Sequence, residues 1–113
     1  MIPIEIGGKQ RYISYTRRGM MTMEKKAGRG YIALMLDPGV TSTNYLLWAG
    51  LLGDDKTLTF DQVGDMLEEY LKPIDGEERD RGKEITNAII DGMREAGYLP
   101  RGGATADPNK KGG

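Results

Sequence analysis

The 113-residue sequence contains no cysteine and no histidine. Their absence excludes disulfides, thiol nucleophiles, zinc sites built from Cys and His, and catalytic triads that use a histidine base. Adjacent acidic residues occur only in a predicted turn or on polar helix faces, and no segment has the spacing of an EF-hand loop. We therefore predict no catalytic residues, no cofactor, no metal ion and no small-molecule substrate, and we expect a protein that is not an enzyme.

Long apolar runs are also missing. The longest, residues 45–52, has less than half of the ~20 residues that a helix needs to span a bilayer. The N-terminal segment has no apolar signal-peptide core, because Glu5 and two glycines interrupt it early. We therefore expect a soluble, cytoplasmic protein that makes no membrane contact.

The formal net charge is only −1, but the charges are unevenly distributed. Residues 1–30 contain seven Lys or Arg and two acids, whereas residues 31–100 contain six Lys or Arg and fourteen acids. A basic segment can be a nucleic-acid-binding arm. This one has no interleaved aromatic stripe, so we interpret it as the solvated face of a helix and predict no nucleic-acid partner.

Residues 2–15 are typical of a β-hairpin, because isoleucines alternate with other residues up to a Gly-Gly pair. A two-residue Gly-Gly loop would place Ile4 opposite Arg11 and mix the two faces. A three-residue loop that adds Lys9 places Ile4 opposite Tyr12 instead. That register gives a more apolar face, so we predict the three-residue loop.

Apolar periodicity predicts helices near residues 16–27, 42–52, 60–72 and 77–96. The second of them is apolar on all sides and should be the centre of the core, with Trp48 buried in it. Thr41 and Ser42 are its candidate caps, and Thr59-Phe60-Asp61-Gln62 is a capping box that should start the next helix. In that helix, the residues expected to be buried are Phe60, Val63, Leu67, Tyr70 and Leu71.

These elements predict a mainly α protein, with an N-terminal β-hairpin followed by a compact bundle of about four helices. We expect a single compact domain over residues 1–99 and a disordered tail over residues 100–113. The apolar run at residues 31–36 can be helix or strand on periodicity alone.

Three methionines lie in the first predicted helix. Core filling is the first interpretation for Met20 and Met23, and an adaptable surface for an apolar partner helix is the second. Apolar residues of the following segment lie beside them in the sequence. The candidate partner-binding residues are therefore Met20, Met21, Met23, Tyr31, Ile32 and Met35.

Two parts of the chain resemble the tail assembly chaperones of long-tailed phages and gene transfer agents. The first is Ile4-Glu5-Ile6-Gly7-Gly8-Lys9 with its second strand, and the second runs from Leu46-Leu47-Trp48-Ala49-Gly50 through an acidic turn to residues 58–67. The first helix is basic, where that family has an acidic one.

The resemblance implies a non-enzymatic assembly factor that works in the host cytoplasm. Such a protein keeps the tape measure protein soluble and helps to recruit tail tube protein subunits. The alternatives are a structural head–tail or tail component retained in the particle and a small nucleic-acid-binding regulator. The sequence leaves open whether the chain forms a homo-oligomer.

The nucleic-acid interpretation has a direct test. Binding through phosphates would weaken steeply with salt, with a logarithmic slope near −0.9 per neutralised phosphate on duplex DNA. We expect no measurable binding of duplex DNA at physiological ionic strength in a fluorescence-anisotropy titration. Micromolar binding, with a salt dependence that corresponds to several neutralised phosphates, would instead favour the nucleic-acid-binding regulator.

Overall fold

A computed structural model describes residues 1–100 of the chain. An antiparallel hairpin precedes five helices, which confirms the predicted mainly α fold. The predicted disordered tail, apart from Pro100, lies outside the described residues. The elements are β1 (Ile2–Ile6), β2 (Lys9–Ile13), α1 (Arg17–Ala27), α2 (Tyr31–Met35), α3 (Val40–Leu52), α4 (Phe60–Tyr70) and α5 (Arg81–Ala96).

The hairpin has the register that sequence reasoning rejected. Ile4 pairs with Arg11, and the turn consists of Gly7 and Gly8 at φ values of 66° and 83°. Two successive left-handed residues form the tight turn that suits a twisted hairpin, and glycine adopts them without steric cost. The predicted three-residue loop is therefore wrong.

Arg11 explains the error, because it lies on the buried face with only 7% of its surface exposed. Its Nε donates a hydrogen bond of 3.1 Å to the carbonyl oxygen of Ile6. A guanidinium nitrogen also lies 3.6 Å from a carboxylate oxygen of Asp55. An arginine can occupy an apolar face in this way, since its aliphatic stem packs while its charged end has one hydrogen bond and a carboxylate of opposite charge nearby.

Helix α3 lies at the centre of the fold, as its uniformly apolar sequence predicts. It packs against α1, α2, α4, α5 and β2, and Leu47, Ala49 and Leu51 are fully buried. Trp48 is buried as predicted, and its indole N–H donates to the carbonyl oxygen of Leu58 at 2.9 Å. The chain therefore folds around this helix.

The end of β2 is attached to the C-terminal half of α3 through the backbone. The N–H of Ser14 donates to the carbonyl oxygen of Gly50 at 2.9 Å. A Cβ at Gly53 would lie 2.0 Å from the carbonyl oxygen of Ser14, which is shorter than any real contact. Glycine is required there because only a residue without a side chain lets strand and helix approach so closely.

Residues 31–36, left open by periodicity, form the short helix α2 and its C-cap. Gly28 ends α1 in a left-handed conformation at φ 71°. The side chain of Glu24 then accepts a hydrogen bond of 2.7 Å from the N–H of Tyr31. The chain thus begins a new helix directly after α1, and the fold has five helices where the sequence predicted about four.

Two helix starts differ from the predicted positions. Helix α3 begins at Val40, with Gly39 as its N-cap, so Thr41 and Ser42 lie inside the helix and are not caps. Helix α5 begins at Arg81 and not near residue 77, because the Asp80 carboxylate caps it by accepting from the N–H of Lys83 at 2.9 Å.

The start of α4 confirms the predicted capping box. The N–H of Gln62 donates to the Thr59 hydroxyl at 3.1 Å, and the N–H of Thr59 donates to the Gln62 side chain at 2.9 Å. Two of the backbone donors at this helix end are thereby satisfied. Both hydrogen bonds are encoded within four residues, which is why the sequence alone identifies them.

Trp48 provides a test of the central position of α3. Trp48→Ala should lower the free energy of unfolding by about 3–5 kcal/mol, since it leaves a large cavity in the core. Trp48→Phe should cost less, because it fills most of the space and loses only the hydrogen bond to Leu58. Urea denaturation followed by far-UV circular dichroism measures both. Native tryptophan emission typical of water and readily quenched by iodide would contradict the buried position.

Candidate partner-binding groove

The predicted methionine surface is divided between core and solvent. Met20 and Met23 are buried in the core, in agreement with the first interpretation of these two residues. Met21 and Ile32 are 56% and 60% exposed. Two members of the six-residue set are therefore unavailable to a partner, and Met21 and Ile32 are the exposed ones.

The two remaining candidates, Tyr31 and Met35, are half-buried against the core. The Tyr31 hydroxyl donates to the carbonyl oxygen of Tyr98 at 3.0 Å. The two tyrosine rings also meet edge to face, with centroids 5.3 Å apart. Tyr31 thus fastens α2 to the segment that follows α5, and its position has a structural explanation that needs no partner.

An apolar groove of about 900 Å³ opens elsewhere, between the N-terminal end of α3, α4 and the start of α5. We call it the α4 groove and define it by six apolar residues. Leu67 and Ile85 are buried beneath it, whereas Val40 is 88% exposed and Leu71 45% exposed at its rim. The six are Pro38, Val40, Leu67, Leu71, Pro73 and Ile85.

Helical spacing places one stripe of α4 along this groove. Phe60, Gly64, Leu67 and Leu71 follow one another at intervals of three or four residues, which is one face of a helix. A neighbouring depression of about 330 Å³ continues from Gly64 to Phe60 and shares Val40 with the groove. The apolar surface therefore extends along the whole length of α4.

Asn44 fixes the distance between α3 and α4 at the base of the groove. Its side-chain amide donates to the carbonyl oxygen of Phe60 at 3.1 Å. A Cβ at Gly64 would lie 3.2 Å from the side-chain oxygen of Asn44, so the glycine allows the two helices to approach. The buried amide and the glycine together give the groove its shape.

Ion pairs hold the loop between α4 and α5 that forms the far end of the groove. Arg81 bonds to Glu77 at 2.8 Å and to the carbonyl oxygen of Tyr70 at 3.3 Å. Arg79 pairs with Glu84 at 3.0 Å. These hydrogen bonds from arginine lower the pKa of the Glu77 and Glu84 carboxyls. The support that they give the loop is therefore present at neutral pH and is lost as the pH falls through the lowered pKa values.

Acidic residues lie along one side of the groove and of the depression that continues it: Glu68 lines the groove, and Asp61 and Asp65 line the depression. Asp61, Asp65 and Glu68 occupy the stripe of α4 next to the apolar one, and all three are exposed. Within residues 1–100, none of the three forms an ion pair. Lys72 is part of the groove lining, and the Lys26 ammonium lies 5.8 Å from the centre of the Phe60 ring, which lines the neighbouring depression.

Sequence reasoning missed the two exposed rim residues. Val40 lies next to the Asp-Pro-Gly turn and before the predicted start of α3. Leu71 follows the last residue of α4 on the stripe predicted to be buried, and the structure leaves it 45% exposed at the rim of the groove. Periodicity shows which face of a helix is apolar, but it does not show whether a neighbour covers that face.

This arrangement can bind an apolar segment, and it does not assemble a metal site. No cluster of three or more acidic side chains suited to a metal ion occurs in the part of the chain that the structure describes. Among the same residues, no helix has both the length and the apolar character to cross a bilayer. No family model, no curated protein and no solved structure matches the chain.

Proposed function

We propose that this protein is a tail assembly chaperone of a long-tailed phage or gene transfer agent. It binds an apolar, helix-prone segment of the tape measure protein, keeps that protein soluble, and helps to recruit tail tube protein subunits. It acts in the host cytoplasm by binding and not by catalysis. The two sequence motifs that resemble this family support the proposal.

The exposed apolar rim of the α4 groove is the observation that carries the proposal. Val40 and Leu71 leave apolar surface in water beside a groove that already has an apolar floor. Exposed apolar patches of this kind mark sites of association. A chaperone needs such a surface, because the client segments that aggregate are themselves apolar.

To keep its client soluble, the chaperone must not itself aggregate through the apolar surface that binds the client. The acidic residues beside the groove supply charge where an apolar surface alone would associate with itself. Met21 in the basic α1 and Ile32 in α2 are also exposed, and they are the alternative location for the client contact if the groove is not used. Met21 has an adaptable side chain that suits a surface accepting several similar segments.

Co-expression with the tape measure protein tests the proposal. We expect the tape measure protein to move from the insoluble to the soluble fraction, and a complex to survive gel filtration. Trp48→Ala, which disrupts the core, should abolish the effect, whereas the surface change Asp91→Lys should preserve it. The assignment is wrong if the tape measure protein is equally insoluble with and without this chain.

The same system separates the chaperone from a retained structural component. An assembly chaperone should be present in lysates that contain unfinished tails and absent from purified particles. Immunoblotting of both fractions measures this. Stoichiometric amounts in the particles would instead support the structural alternative.

A further inference from the structure

We propose that the α4 groove binds one amphipathic helix of the client, with Lys or Arg along the flank of that helix that faces α4. The inference rests on the proposed chaperone function and names the class of segment that the chaperone accepts. It is carried by the apolar groove together with the acidic stripe along only one of its sides.

The dimensions of the surface favour a helical occupant. The apolar stripe runs from Phe60 to Leu71, and eleven helical steps of 1.5 Å correspond to about 16 Å. An occupant of about three helical turns matches this length. The walls are helices and not sheet edges, so the groove suits the recognition mode in which an amphipathic helix places its apolar side chains between other helices.

The contacts that such a helix would gain are apolar. Leu67 and Ile85 form a floor that is already dehydrated, and Val40 and Leu71 stand at the rim with much of their surface in water. Covering those two rim residues removes apolar surface from water, which is the main driving force of association. The occupant should therefore present apolar residues at intervals of three and four.

The charges along the two sides of the groove give the occupant its orientation. On the α4 side, Glu68 lines the groove and Asp61 and Asp65 line the depression that continues it, and none of the three forms an ion pair among the described residues. The opposite side presents Val40, Thr43 and Thr86, which carry no charge. A helix with cations on one flank thus meets carboxylates in only one orientation, and complementary charge selects that orientation and its partner.

The exposed part of α1 has the opposite electrostatic character. Met21 is its large exposed apolar side chain, and Arg17, Arg18 and Lys25 are exposed around it. That surface would favour an acidic flank on its partner. The charge of the flank therefore distinguishes the α4 groove from the surface predicted from sequence.

A pair of designed peptides tests the charge rule. Both are 16-residue helices with leucines at intervals of three and four; one has lysines on a single flank, and the other has glutamates there. Isothermal titration calorimetry at low ionic strength should show at least tenfold tighter binding of the lysine peptide. The double change Asp65→Lys with Glu68→Lys should reverse the preference, and Asp91→Lys should leave it intact. Equal affinities, or no binding of either peptide, would overturn the proposal.

Matched serine substitutions test the location. Val40→Ser with Leu71→Ser should weaken binding of the lysine peptide at least tenfold, whereas Ile32→Ser should leave it unchanged. All three side chains are exposed, so the variants should fold, and unchanged far-UV circular dichroism and Trp48 emission verify this. The groove assignment is wrong if Ile32→Ser alone weakens binding. It is also wrong if sedimentation shows a dimer of the free protein that Val40→Ser with Leu71→Ser dissociates, because a second copy would then occupy the groove.

The two proposals fail in different ways. If the lysine peptide binds as expected but the tape measure protein stays insoluble, the groove assignment stands and the chaperone function fails. If the protein with Val40→Ser and Leu71→Ser still solubilises the tape measure protein as well as the unsubstituted protein does, the function stands and the groove assignment fails.

Discussion

The requirement to bury α3 on every side determines the rest of the fold. A helix without a polar face has no orientation in which one side can remain in water. The chain meets this requirement by packing α1, α2, α4, α5 and β2 around α3. Hydrogen bonds from the buried tyrosine and tryptophan add polar attachments, since the Tyr15 hydroxyl donates to the carbonyl oxygen of Leu46 at 2.8 Å and the Trp48 indole to Leu58. Burial also raises the pKa of Tyr15, so its hydroxyl stays protonated and able to donate.

The α4 groove arises where this enclosure is incomplete. Helix α3 begins at Val40, ahead of the buried part, and its first residue is left without cover. On the other side, the loop after α4 contributes Pro73 to the groove and is held to α5 by arginine–glutamate pairs. Leu71, directly after α4, is therefore exposed next to a loop that these ion pairs hold in place. The chain keeps apolar surface in water at this place, although its central helix is almost fully covered, and the acidic stripe of α4 lies directly next to it.

Local signals in the sequence predicted the parts of the fold that depend on local interactions. The capping box at Thr59 and the position of Trp48 are encoded within a few residues, and both are confirmed. The hairpin register depends instead on Arg11, whose burial is supported by a hydrogen bond to Ile6 and by the opposite charge of Asp55, 44 residues away in the sequence. The groove could not be predicted from the sequence either. Val40 and Leu71 are exposed because no other element of residues 1–100 packs on them, and local patterns do not show this. Met20 and Met23 fill the core, in agreement with their first interpretation, although both were also candidate partner-binding residues.

Hydrogen–deuterium exchange of the complex with the tape measure protein tests the central claim most directly. The first N–H groups of a helix have no intrahelical acceptor and report readily on cover by a partner. On binding, amides at residues 40–44 and 60–72 should exchange more slowly, while those at residues 17–36 should keep the rates of the free protein. Protection confined to residues 17–36 would place the client on the methionine surface and contradict the account.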